Sequence, residues 1–444
     1  MKAIQRIIAA ILPCCLFAAS PALAQVKPGD VIGKDNAGLV KNLLSPGNLV
    51  MVEQGMQLDI VPAAKLEWPA PYKSATEKYS SQVKLSADGT LENYVAGQPF
   101  PLLDPNDPAI AAKIMWNFSF RPLYSDDADL RDAEVANYTR DAKGTPVDFF
   151  TVGHFAFYNN IGRIEVPPVP TDPDAAASGI RYRFGFYPLL EPSSLRGFGL
   201  IRFRHIDPSV EDNTWIFMPG ARRIRRQSAS ILSDAIGMLA GFGSHGAAGG
   251  TYGPTGGSAY ASVIDPDSYF GFAAKVEDYN YKFLGEKDML ACAHAKNSPA
   301  VACPFDGGRT VCPENWEMRH LYAVEATAKP GNNSVIPKRI LYIDSEGWFI
   351  TASDQYDREG NLWKSLATFN AYRDRPVPDA KVAIYPYKRM FQVALVDEDL
   401  TSGGTSVVYM PGPEATDHEC WYIDMGIVDN AFFAPEAMAR AGSL

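Results

Sequence analysis

Arg181-Tyr182-Arg183-Phe184-Gly185-Phe186 is the stretch that decides the fold. Polar or small residues alternate with aromatic ones, so Tyr182, Phe184 and Phe186 share one face of an extended strand. The same period recurs on either side. Residues 200–206 set Ile201 and Phe203 opposite Arg202 and Arg204. Thr214-Trp215-Ile216-Phe217-Met218 is apolar on both sides and ends at Pro219-Gly220, a turn or bulge. Upstream, residues 148–158 are aromatic-rich and read as extended. Residues 318–324, 339–344, 347–351, 363–372 and 382–395 continue the series, with Ser345-Glu346-Gly347 and Arg358-Glu359-Gly360-Asn361 as hairpin turns. The expectation is a mainly β protein (α+β): one highly curved antiparallel sheet of about ten strands, or an incomplete β-barrel, with covering helices.

Composition agrees with this. The chain has 444 residues, 46% hydrophobic and 21% charged, which excludes wholesale disorder and coiled coil. Aromatic residues reach 11%, with 34 Pro and 36 Gly, favouring strands and turns over long helices. A net charge of −10 argues against nucleic acid as a partner, because phosphate contacts need a basic surface.

Residues 1–24 read as a signal peptide. Lys2 and Arg6 precede an apolar run from Ile7 to Ala19, and Ala22-Leu23-Ala24 is an A-x-A cleavage site. Pro13 before Cys14 does not fit a lipidation site. The expected product is an exported protein starting near Gln25. Residues 25–146, rich in proline, read as an arm wrapped over a larger body, with short helices over 36–44 and 109–116. Residues 147–444 read as the sheet body, arm and body forming one folded unit. Within it, 230–241 reads as an apolar helix and 243–257 as a glycine-rich loop, together a cover over a cavity.

Four cysteines remain after cleavage: Cys292, Cys303, Cys312 and Cys420. An even number in an exported chain predicts two disulfides, with three connectivities open. Zinc is the rival, but no C-x-x-C occurs among them. The histidines form no H-x-x-x-H or H-E-x-x-H pair, so neither metal nor cofactor is expected. Gly241-Phe242-Gly243-Ser244-His245-Gly246 fits G-x-G-x-x-G without the strand before it and helix after it that a dinucleotide needs. No G-x-S-x-G elbow is present. Asp354, Asp357 and Glu359 do not match a calcium loop and read as an acidic hairpin.

The most distinctive string runs Asp212-Asn213-Thr214-Trp215-Ile216-Phe217-Met218-Pro219-Gly220-Ala221-Arg222-Arg223-Ile224-Arg225-Arg226. Its arginines suit either ion pairing within an acidic chain or contact with an anionic headgroup or partner. The string resembles the "W-x-[FY]-x-P-x-x-R-R-x-R" of a large proteobacterial periplasmic family described as outer-membrane lipoprotein-sorting proteins, itself similar to the Lol-type lipoprotein carriers. Arg339-Ile340-Leu341-Tyr342-Ile343-Asp344 with Gln355-Tyr356-Asp357-Arg358-Glu359-Gly360-Asn361-Leu362-Trp363-Lys364 resembles the family's hairpin before "Y-D-x-x-G-x-L-x-K". Asn93-Tyr94-Val95-Ala96-Gly97-Gln98-Pro99-Phe100-Pro101 and Trp116-Asn117 resemble a long-chain branch of unknown function. The resemblance implies an incomplete barrel with helices on its open side, a hollow for acyl chains, and partnership with resistance-nodulation-type exporters.

The expected function is a non-enzymatic periplasmic carrier or binding protein for a lipid or other hydrophobic molecule, accessory to envelope lipid transport. The alternatives are an enzyme, hydrolase or oxidoreductase accessory, acting on an apolar compound, and a structural envelope protein. The expected ligand-binding residues are Trp215, Phe217, Tyr182, Phe184, Phe186, Tyr342, Trp348 and Phe369. The expected headgroup or partner contacts are Arg222, Arg223, Arg225 and Arg226.

Overall fold

The protein's structure, a computed structural model, describes residues 26–141, 143–227, 266–332, 334, 336–376, 384–413 and 421–443. Two antiparallel meanders make the sheet. The first is β1 (Asp127–Tyr138), β2 (Asp148–Asn159), β3 (Ile180–Phe186), β4 (Gly199–His205), β5 (Asn213–Met218) and β6 (Arg223–Gln227). The second is β7 (Tyr279–Ala291), β8 (Glu314–Ala328), β9 (Lys338–Asp344), β10 (Ile350–Tyr356), β11 (Leu362–Arg373), β12 (Arg389–Asp399) and β13 (Thr405–Tyr409). In each run every strand pairs with the next. β13 then pairs with β1, Val407 opposite Ala136, and joins the two into one strongly curved sheet. β6 and β7 are its edges and do not pair with each other among the described residues, so the barrel stays open.

With four short strands besides these thirteen, the sheet has seventeen among the described residues against the expected ten, and β1 is the instructive addition. It sits at the centre of the sheet, although residues 25–146 read as an arm. Its apolar residues fall at 128 and 130, then at 133 and 135. Asp132 stands between them with φ of 52°, and this left-handed step switches the pleat's phase. A strict period of two misses such a strand.

The preceding segment lies along the body. Leu58–Ile60 pairs in parallel with the start of β8. Helix α1 (Pro46–Glu53) begins where Ser45 Oγ accepts from the Asn48 N–H, with Pro46 in its first turn. It follows a single 3₁₀ turn, Ala37–Val40, where a short helix over 36–44 was expected. Helix α2 spans Ala70–Tyr79 and α3 spans Ile110–Ser119. Ile114, Met115 and Trp116 of α3 are buried with Val324, Leu341 and Ile343 of the sheet, so α3 shares its core with the body. Asn117 fixes the approach: its Oδ1 accepts from the Phe100 N–H at 2.8 Å and its Nδ2 donates to the Phe100 carbonyl at 2.8 Å. No helix among the described residues is long and apolar enough to cross a membrane.

Cys303 and Cys312 form a disulfide in the β7–β8 connection. Cys292 is a buried free thiol, and burial pushes it well above its ordinary pKa. Cys420, residues 1–24, the helix expected over 230–241 and the loop over 243–257 lie outside the described residues.

Candidate functional site

A cavity opens on one face of β2, β3 and β4. Register fixes its wall: Phe155 stands opposite Phe186, and Phe157 opposite Phe184. Across the next ladder Phe184 faces Arg202, Tyr182 faces Arg204 and Phe186 faces Leu200. Cross-strand partners share a face, so all of these side chains enter one space. The rings pack edge to face, with Phe155 and Phe184 centroids 4.9 Å apart.

The remaining walls come from elsewhere in the chain. The end of α3 and the residues after it supply Phe118, Phe120, Arg121 and Tyr124. Tyr124 stacks on Phe157 at 4.6 Å. Tyr72 and Tyr94 come from the N-terminal segment, and Phe270, Phe272 and Val276 from the approach to β7. Gly271 lets that approach lie on the sheet: it has φ of 89°, and a Cβ there would fall 2.5 Å from Ile350 Cβ. The cleft holds about 1150 Å³ of empty space including its open mouth.

Its polar groups are mainly cationic or phenolic. Arg121, Arg181, Arg202 and Arg204 all line it. Arg181 lies over the Phe120 ring at 4.3 Å and donates to Ser119 Oγ at 2.7 Å. Arg204 donates through Nε and Nη2 to Asp212 Oδ2 at 3.1 and 3.0 Å. Burial alone would raise the Asp212 carboxyl, but Arg204, Arg202 and Lys275 together hold it below its ordinary value. Burial pushes the Tyr72, Tyr94 and Tyr124 hydroxyls upward; Tyr72 donates to the Phe120 carbonyl at 2.7 Å and Tyr94 to the Gly97 carbonyl at 3.0 Å, while Tyr124 accepts from Arg121 Nη2 at 3.3 Å. Among the described residues, the lining contains no carboxylate, histidine or cysteine.

Of the residues expected to bind ligand, Tyr182, Phe184 and Phe186 line this cavity. The other five lie elsewhere. Trp215 and Phe217 share the opposite face of the sheet. There Phe217 packs with Phe433 and with Met438 of the C-terminal helix Pro435–Ala441, while Trp215 meets Phe203 at 4.8 Å. Tyr342 belongs to a small cluster with Leu321 and Ala352, its hydroxyl 3.3 Å from Asp354 Oδ2. Trp348 packs on Tyr322 at 5.6 Å. Phe369 sits in the main core, edge-on to Trp316 at 5.9 Å.

The four arginines of the distinctive string lie at and just before the edge strand β6. Arg222 has φ of 47°, Arg223 and Arg225 are exposed, and Arg226 bonds Asn213 and lies over Trp215 at 6.0 Å. Charge on an open edge also discourages pairing with another sheet.

Sequence reasoning missed Phe155, Phe157, Arg181, Arg202 and Arg204 as site residues. The signal for the two β4 arginines was present in their alternation with Ile201 and Phe203. It pointed the other way because polar residues are ordinarily assigned to solvent.

Comparison with known proteins adds the family. A protein of Pseudomonas aeruginosa named Uncharacterized protein PA3922 is 25% identical over 377 residues, 82% of this chain and 73% of that protein. A putative outer membrane lipoprotein-sorting protein domain from Vibrio parahaemolyticus has 14% identity and a TM-score of 0.44, covering 74% of this chain and 97% of its own. A DUF1329 family protein from Desulfovibrio piger has 13% identity and a TM-score of 0.43, covering 75% of this chain and 100% of its own. The family model "Protein of unknown function (DUF1329)" matches residues 31–243 and 247–437, and the chain belongs to that family.

Proposed function

We propose that this protein is a carrier or binding protein for a lipid or other hydrophobic molecule, held between β2–β4 and the end of α3. The observation that carries this is the cavity itself: an aromatic wall that remains open instead of closing into core. Burying an acyl chain there gains roughly 0.8 kcal/mol per methylene, enough for strong binding without a polar constellation. Among the described residues, the arginines, phenols and aromatic rings of the lining suit binding better than acid–base chemistry. The N-terminal leader pattern and the resemblance to the Lol-type carriers support a periplasmic place, accessory to envelope lipid transport and to a resistance-nodulation-type exporter.

Delipidated protein should take up a polarity-sensitive fluorescent fatty acid saturably. Phe184→Ala, on the cavity wall, should weaken uptake about tenfold or more, while Phe217→Ala, on the opposite face, should leave it within about twofold. A folded wild-type protein showing no saturable uptake overturns the proposal. Native mass spectrometry of protein from its own periplasm would then identify the molecule carried.

A further inference from the structure

Resting on that reading of the cavity, we infer that its occupant is an amphiphile with an anionic oxygen headgroup, carboxylate or phosphate, and that Arg202 binds the headgroup.

Arg202 is only 6% exposed, yet its guanidinium makes no hydrogen bond to the described residues, and its Nε is fully enclosed. The nearest carboxylate oxygen, Asp212 Oδ2, is 4.0 Å from that Nε, beyond hydrogen-bonding distance. Asp212 is already engaged, since Oδ2 accepts both bonds from Arg204 and Oδ1 lies 3.6 Å from Lys275 Nζ. Three cations therefore share one carboxylate. Arg181, 9% exposed, has a single bond to a neutral serine hydroxyl, and Arg121 bonds only the Phe118 carbonyl and the Tyr124 hydroxyl. Glu277 and Asp278 also act on this group. Among the described residues, five cations stand with three acids.

A buried guanidinium without hydrogen-bond acceptors costs free energy that a protein normally recovers with a well-placed anion. The planar fork of arginine suits a carboxylate or a phosphate, which it grips with two parallel bonds. Register sets the polarity of the site. Along β3 and β4 the inward pairs run Phe186–Leu200, Phe184–Arg202 and Tyr182–Arg204. The wall is thus apolar at one end and cationic at the other, a match for a tail and a head lying along the strands.

The test uses delipidated full-length protein and displacement of a fluorescent fatty acid by lauric acid, lauryl phosphate, lauryl alcohol and inorganic phosphate. The acid or the lauryl phosphate should bind about tenfold or more tightly than the alcohol, and whichever binds better identifies the headgroup. Arg202→Met should weaken the acid or the lauryl phosphate about tenfold more than the alcohol and so remove that preference, and Arg202→Lys should restore part of it. Equal affinity of acid, lauryl phosphate and alcohol for the wild-type protein overturns the headgroup assignment while the cavity still binds tails. Displacement by inorganic phosphate as effective as that by the acid overturns the amphiphile. Failure of all four to displace the dye overturns this inference, and absence of dye uptake overturns the binding reading as well.

Discussion

Arg202 and Phe184 stand opposite each other across β3 and β4, the guanidinium carbon 5.7 Å from the ring centre, and both side chains enter the cavity. An arginine and a phenylalanine on the same buried face mean that this face is not simple core. The other face, on β4 and its neighbour β5, carries Ile201, Phe203, Trp215 and Phe217, packed under the C-terminal helix and its approach. The alternation separates two buried environments, one hollow and cationic, one filled and dry.

The dry face should govern stability. Phe217 is 2% exposed in the cluster with Phe433 and Met438. Phe217→Ala should cost about 3–5 kcal/mol through lost burial and the cavity left behind. Urea unfolding checks this, and a loss below 1 kcal/mol would mean the helix repacks over the gap.

Helix α1 depends on a close approach at Gly47. The Gly47 N–H donates to Asp354 Oδ1 at 3.0 Å, and a Cβ at this position would run into the Ser365 side chain. Gly47→Ala should lift α1 from β10 and β11 and destabilise by about 1–3 kcal/mol. An unchanged Tm would show that Ser365 can move aside.

The cysteines should divide into two kinds. Alkylation of the unreduced, unfolded protein should label Cys292 and spare Cys303 and Cys312, whereas the folded protein should not react at Cys292. Replacing Cys303 and Cys312 by serine should cost about 2–3 kcal/mol, the entropy of closing a short loop in the unfolded chain. Labelling of Cys303 without reductant would refute the disulfide.

Acid groups at the start of β1 should give a pH dependence of their own. Asp126 accepts backbone N–H groups of Ile164, Glu165 and Val166, but burial, and then Asp424, raise its pKa to about 7. The same causes raise Asp127 to about 6. A carboxyl raised on folding keeps its proton in the native state while the unfolded chain has released it. Its contribution is fully present below about pH 4 and is lost as pH rises toward 7, at up to about 1.4 kcal/mol per pH unit per group. Asp126→Asn should flatten the fall in Tm between pH 4 and 7 relative to wild type. Parallel profiles for the two proteins would assign the dependence to other groups.

Much of the fold was legible along the chain. The alternation in 181–186, 200–206 and 214–218 identifies β3, β4 and β5, because burial on a pleated sheet has a period of two. The hairpins at 345–347 and 358–361 follow from turn residues between such runs. β1 was not legible, because its apolar phase switches at Asp132 and its buried Asp127 and Asp129 read as surface.

The sequence by itself determined that Tyr182, Phe184 and Phe186 share a face, since that follows from local geometry. Only the tertiary structure decided which face is hollow. The C-terminal helix fills the side of Phe217, while α3 and the 269–276 segment stop short of filling the side of Phe184. Those covers lie far from the strands in sequence, so no local pattern records them. The same distance explains Arg202: its place in a cleft depends on the walls that α3 and the 269–276 segment supply, and alternation alone would have sent it to water.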